Sequence, residues 1–222
     1  MQSPQTEFIP ADLNAGDRYK LLIGMIVPRP IAFVSTVSPE GKTNLAPFSF
    51  FCGVGSEPMT LAFCPAADER GRDKDTMRNA MIPNLEDPEL GGTGEFVVNV
   101  VTEAIARQMA ACAEPLAYGD SEYDLSGLTP IPSSVVKPPR VAECPAAFEC
   151  VTRQIVRTNP GVPSSGNLVL GEVVRVHAVD GLVNDRHHTD PAKLAAFGRM
   201  GGAGYCTTRD RFELPWGKKA LE

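Results

Sequence analysis

The sequence predicts a mainly β chain: a split β-barrel of Greek-key type carrying short accessory helices. Three observations carry that reading. At least six stretches have strand character, at 31–37, 43–51, 59–64, 95–101, 147–157 and 167–179. The helical stretches between them are short, without the regular strand–helix–strand alternation of a parallel sheet. Two of the strand pairs are joined by turn material, Pro39-Glu40-Gly41-Lys42 and the NPGVPSSG run at 159–166, so each pair reads as a hairpin.

The first hairpin, from Pro28 to Cys52, organises the rest. Its turn is well specified, because Pro39 presets φ and Gly41 takes a positive φ without a steric cost. Its arms are apolar except for Ser35, Thr36, Asn44 and Ser49. A buried hydroxyl or amide without a partner is costly. The four side chains therefore either meet a bound polar ligand or hydrogen-bond to the hairpin's own backbone, and spacing alone leaves both open. Cys52, directly after this hairpin, is the thiol placed closest to it.

Along the chain, residues 1–15 read as a lead-in arm. Residues 17–27 start as a helix with Leu21, Leu22, Met25 and Ile26 on one face, weakened by Gly24 and stopped by Pro28 and Pro30. Residues 68–79 hold Arg70, Arg72, Lys74 and Arg78, with Asp73 or Asp75 positioned to cap a short helix through Asn79. Amide donors at a helix start joined by Lys or Arg suit a phosphate. The near balance with Asp68, Glu69, Asp73 and Asp75 equally describes a solvated charged loop. Residues 83–94 form an acidic, Pro/Gly-rich insertion. A helix at 102–110 takes Thr102 as its N-cap. Residues 113–132 are a long polar connection containing Tyr118, Tyr123 and Asp124. His177 shares a strand face with Arg175 and Val179 and reads as solvent-facing or internally bonded rather than catalytic. His187 and His188 sit in a polar loop. Glycines 198, 201, 202 and 204 do not match a dinucleotide fingerprint and instead allow a tight backbone path near another surface.

Composition narrows the function. The chain has 222 residues, 43% hydrophobic and 22% charged, enough for one domain spanning 1–222 with a tail at 206–222. Neither a bilayer-crossing run nor a signal peptide is recognisable. The net charge of −6 argues against a nucleic-acid partner. Six scattered cysteines and three histidines give no zinc spacing, so no metal site is expected, and free thiols in a reducing cytoplasm fit best. A GxSxG motif, a Ser-His-Asp set and paired catalytic carboxylates are all missing.

Five motifs occur in one order: PRPIAFVST, then G-x-x-NLAPFSFF, then Lys74-Asp75-Thr76 with Asn79, then EFVVNV, and GRMGGAGY near the end. On these motifs the chain resembles the flavin reductase-like family, over about residues 20 to 215. The resemblance implies the FMN-binding split barrel, a homodimer, and FMN held without a covalent link at or near the dimer interface. It places Asn44 at the pyrimidine edge of the flavin ring, with Ser49 and groups around Ala46, Pro47 and Cys52 lining the ring. Ser35 and Thr36 face the phosphoribityl chain. Lys74 and Thr76, with Asp75 between them and Arg70 or Arg72 nearby, hold the phosphate. The activity implied is NAD(P)H:flavin reduction, with electrons passed to a partner monooxygenase or a small oxidant. No acid–base residue is required of the protein. A flavoredoxin-like electron carrier and a non-catalytic split-barrel binding protein are the alternatives. The acidic insertion and the ELPWGKKALE tail depart from the family pattern.

Overall fold

The computed structural model describes residues 3–84, 86–87 and 91–221; residues 85 and 88–90 of the acidic insertion lie outside them. Helix α1 (Ala15–Met25) is capped by Asn14, whose side chain accepts from the Asp17 amide at 2.9 Å. It runs through Gly24 and stops before Pro28. The first hairpin follows as β1 (Ala32–Val37) and β2 (Thr43–Phe48). The Gly41 amide donates to the Ser38 carbonyl across the turn at 2.9 Å, with Gly41 at φ 86°.

The expected second arm, 43–51, is two elements. The chain bends at Ser49-Phe50 and begins β3 (Phe51–Ser56), so Cys52 lies in a separate strand, paired with β4 (Met59–Phe63). Then come α2 (Asp75–Ala80), β5 (Glu95–Val100), α3 (Ala106–Ala111) and α4 (Glu122–Ser126). A short pair, β6 (Pro130–Ile131) and β7 (Arg140–Val141), leads into the long hairpin of β8 (Ala146–Arg157) and β9 (Asn167–Ala178). The chain closes with α5 (Pro191–Leu194), β10 (Phe197–Arg199) and β11 (Tyr205–Thr207).

Seven strands form one antiparallel sheet in the order β2-β1-β5-β8-β9-β4-β3. Its two edge strands, β2 and β3, are consecutive in sequence and separated only by Ser49 and Phe50. A link that short spans roughly 11 Å at most. The sheet must therefore curl until its edges meet, without hydrogen bonds joining them: a split barrel. Register shifts at Gly53/Gly55, Glu149/Cys150 and Thr152/Gln154 supply the bends that curling needs.

β1 is buried along its whole length, so both of its faces are lined. Alternation sends Ala32 and Val34 inward, where they pack with Phe48, Phe63, Phe96, Met77 and Ala80. Phe63 stacks at 5.0 Å from Phe96 and 5.4 Å from Phe48, and α2 delivers Met77 into this interior. The opposite face sends Phe33 against Ile105 and Met109 of the α3 region and Tyr123 of α4. The helix expected at 102–110 starts as a 3-10 turn at Glu103–Ile105, with Thr102 in the cap position but its side chain unused.

Arg29 ties the ends of the fold together. Its backbone exchanges bonds with Arg199, and its buried guanidinium reaches the Ile23 and Ile26 carbonyls at the end of α1. The glycine-rich stretch near the C-terminus gives the close approach its composition predicts: a Cβ on Gly201 would sit 3.4 Å from the Gly24 Cα. His177 is internally bonded, 2.5 Å from the Glu149 carboxylate. His187 and His188 are exposed, in a turn organised by the Asn184 side chain. All six cysteines are free thiols, and among the described residues no helix is long and apolar enough to cross a membrane.

Candidate functional site

β2 is an edge strand with a built cover. Its outward-facing Leu45 amide donates at 2.7 Å to Glu122, a buried carboxylate on α4. Pro47, with no N–H to leave unpaired, sits comfortably on such an edge. Beside this edge opens a cavity of about 760 Å³, within the size range of small-molecule sites. One wall is β2, with Asn44, Ala46, Pro47 and Phe48. A second is the charged segment from Asp68 to Arg78. The third is the stretch from Cys112 to Tyr118 together with Glu122.

Of the residues predicted for the site, Asn44, Ala46, Pro47, Arg72, Lys74, Asp75 and Thr76 line this cavity. Ser35, Thr36, Ser49, Cys52 and Arg70 lie outside its lining. The four polar side chains of the hairpin follow neither pure alternative: they bond to one another, to Arg29, and to Pro139, Thr76 and Asn79 from other segments. Ser35 donates to the Pro139 carbonyl. Thr36 accepts from Asn44 at 3.2 Å and from Asn79 at 3.0 Å. Ser49 accepts from Arg29 at 3.2 Å. The Asn44 amide nitrogen also reaches Thr76 at 2.8 Å, so its donor is spent on two threonines and its carbonyl oxygen is what it can offer. This network ties β1, β2 and α2 into one rigid corner of the cavity.

The charged segment is organised rather than merely solvated. Asp68 accepts from the Arg70 and Arg72 amides, each at 2.8 Å, and pairs with the Arg72 guanidinium. Bonding from the Arg72 amide holds its carboxyl below the usual range. Neither expected aspartate caps α2; the cap position is Lys74. Asp73 is instead gripped by both Arg157 nitrogens at 2.7 Å, and Asp75 faces Arg78 at 3.6 Å. Arg78 also covers the Tyr118 ring at 4.2 Å. Among the described residues, Lys74 makes no ion pair, so it is the cavity cation not neutralised by a neighbouring carboxylate. Burial pushes the Asp75 and Glu122 carboxyls up.

Sequence reasoning missed the third wall. Glu122, Tyr118 and the stretch from Ala113 to Ala117 sit in what read as a polar connection, because no periodicity marks a segment held by single contacts. The acid–aromatic pair Glu122-Tyr123, set in an otherwise polar stretch, was the available signal.

The segment's placement depends on Gly71. At φ 77°, a Cβ there would fall 2.2 Å from the Gly161 carbonyl oxygen. Gly71→Ala is expected to push the loop off the β8–β9 turn and destabilise the protein by about 1–3 kcal/mol. Denaturant midpoints and hydrogen exchange across residues 67–74 would show it; an unchanged midpoint would contradict the packing.

The donor set suits a ligand with a flat apolar body and an anionic end. Ala46, Pro47, Phe48 and Met81 provide apolar wall, and Lys74, Thr76 and Arg72 provide donors. A second hollow of about 510 Å³, near Thr102 and Arg209, contains none of the predicted residues.

Comparison with known proteins agrees with the fold and the motifs. The family described as "Flavin reductase like domain" matches residues 24–193. Nitrilotriacetate monooxygenase component B from Bacillus cereus superposes with a TM-score of 0.85 at 33% identity, covering 96% of this chain and 100% of that one. The 2-nitrobenzoate 2-nitroreductase NbaA of Pseudomonas fluorescens gives 0.80 at 29% identity, covering 96% and 97%. A flavin reductase with a split barrel domain from Shewanella frigidimarina shares the fold at 0.75 and 19% identity, covering 96% and 100%. A family match over most of the chain, with a split barrel of the same topology beneath it, means that the chain belongs to the flavin reductase-like family.

Proposed function

We propose that the cavity beside β2 binds FMN without a covalent link and that the protein is an NAD(P)H:flavin reductase. The observation that carries this reading is Lys74. Among the described residues it is the cavity cation without an ion pair, two residues from the Thr76 hydroxyl, opposite an apolar wall of Ala46, Pro47 and Phe48. A phosphate is about doubly charged at neutral pH and needs such donors, and a tricyclic ring needs such a wall.

FMN, when bound, supplies the hydride acceptance and onward electron transfer that the side chains cannot. The chain's own work is positioning. Thr36 and Thr76 hold the Asn44 amide nitrogen, leaving its carbonyl oxygen as the group that would accept from the ring N–H. Lys74 and Thr76 hold the phosphate, with Arg72 close by. Glu122 fixes the β2 edge on which the ring rests. Ser35, Ser49, Cys52 and Arg70 act from outside the lining. Hydride transfer depends on distance and stacking, so no proton-transfer residue is assigned.

Two chains pair to form the working unit in the cytoplasm, and the electrons pass to a partner monooxygenase or a small oxidant. The names of the similar structures, a monooxygenase component and a nitroreductase, support both kinds of acceptor.

The test is anaerobic mixing of the FMN-loaded protein with NADH and, separately, with NADPH. Rapid bleaching of the flavin absorbance by at least one is expected. Bound flavin that bleaches with neither would replace the reductase reading with that of an electron carrier.

A further inference from the structure

The C-terminal segment is an arm without a seat. Every residue from Thr207 to Leu221 is exposed, including Phe212 at 84%, Trp216 at 93% and Leu221 at 92%. Its base is pinned to the body, where Thr208 donates to the Ala196 carbonyl at 2.8 Å and Arg209 pairs with Glu103. Beyond Arg211, no hydrogen bond or ion pair among the described residues ties the arm to the rest of the chain. Large apolar side chains clustered in the open mark an interaction surface.

The same chain leaves a second apolar surface uncovered. On α1, Tyr19, Leu22, Met25 and Ile26 are exposed, and only Ile23 is buried. Edge strand β3 is exposed from Cys52 to Ser56, with Val54 and the adjoining Met59 the large apolar residues. The two elements adjoin, since Tyr19 meets Phe50 at 6.5 Å, just before β3.

We infer that the arm of one chain seats Phe212, Leu214 and Trp216 on the α1–β3 face of a second copy, and receives that copy's arm in return. Three considerations favour a second copy as the occupant. An arm and a receiving face on one chain exchange reciprocally about a two-fold axis, which closes the assembly at two. At roughly 150–250 Å² per aromatic side chain, one arm and its seat hide on the order of 1,000 Å² together. Two such exchanges give about 2,000 Å², within the range of stable interfaces. Charge also favours it. Arg209, Arg211, Lys218 and Lys219 outnumber Asp210, Glu213 and Glu222 by one, so the arm is +1 and the rest of the chain −7 in formal charge.

The inference rests on the pairing of chains proposed above, and Trp216 separates the two, because it is the chain's single tryptophan. Sedimentation velocity reports pairing; emission and acrylamide quenching report the arm. The full chain should sediment as a dimer, with emission to the blue of the urea-unfolded chain and quenching several-fold slower. Leu22→Asp, checked for folding by its thermal melt, should weaken the dimer at least about tenfold. It should also return Trp216 to solvent-like emission. A dimer whose Trp216 is already solvent-like would overturn the arm and leave the pairing intact. A monomer at all concentrations would overturn both. Shielding that survives Leu22→Asp, or that appears only when a different protein is added, would also overturn the arm exchange.

Discussion

Arg29→Ala is expected to lower folding stability by about 3–5 kcal/mol, the cost of taking a charged donor from four acceptors at once. The side chain is 3% exposed and donates to four acceptors. These are the Ile23 carbonyl at 2.5 Å, Ile26 at 2.7 Å, Met200 at 3.0 Å and the Ser49 hydroxyl at 3.2 Å. No carboxylate among the described residues pairs with it. Its charge is met by the carbonyl end of α1, where the helix dipole favours a cation. Alanine would strand those acceptors while leaving the Arg29–Arg199 backbone bonds in place, so the loss reports the side chain alone. Lysine cannot reproduce the fork and should recover less than half of the loss. Urea midpoints of the three proteins would measure this. A loss under about 1 kcal/mol for alanine would mean that the carbonyls find other donors.

The second large effect sits on β8. Glu149 is fully buried and accepts from the Ser134 and Val135 amides at 2.7 Å, from Val136 at 3.3 Å, and bonds His177 at 2.5 Å. Glu149→Ala should cost about 3 kcal/mol, because it takes the acceptor from three backbone amides, one of them in buried Val136, and from His177. Its pH dependence has a definite sign. Burial pushes the carboxyl up, but bonds from the Ser134 and Val135 amides and from His177 outweigh it, and the net shift is downward. A group whose pKa is lower when folded contributes stability above its unfolded value, about 4.3, and loses it as pH falls through the folded value. The wild-type urea midpoint should therefore fall on acidification below about pH 4, and Glu149→Gln should flatten that fall. Parallel curves for the two proteins would contradict the assignment.

The parts of this fold that local rules govern were legible before the structure. Pro39 and Gly41 specify the first turn, and β-branched runs specify β5, β8 and β9. The cationic segment and Asn44 stood out because polar groups in such settings demand partners. What stayed hidden depends on contacts distant in sequence. Arg29 read only as part of a helix-stopping PRP, although its guanidinium links residues 23, 26, 49 and 200. Asp73 suggested a cap, yet Arg157, 84 positions away, claims both of its oxygens. Glu122 lay in an aperiodic stretch and reached the site through one amide on β2. The break at Ser49-Phe50 was invisible because the apolar run continues across it; barrel closure, not local propensity, bends the chain there.

The measurement that bears most directly on the flavin cavity is a paired titration with FMN and riboflavin, which differ only in the phosphate. Charge-assisted bonds from Lys74 and Thr76 should make FMN bind at least about tenfold more tightly than riboflavin. Lys74→Ala should bring the two affinities close together, and Asn44→Ala should weaken both. Equal affinities in the wild type, or a preference for FMN that neither substitution alters, would place the flavin somewhere other than beside β2.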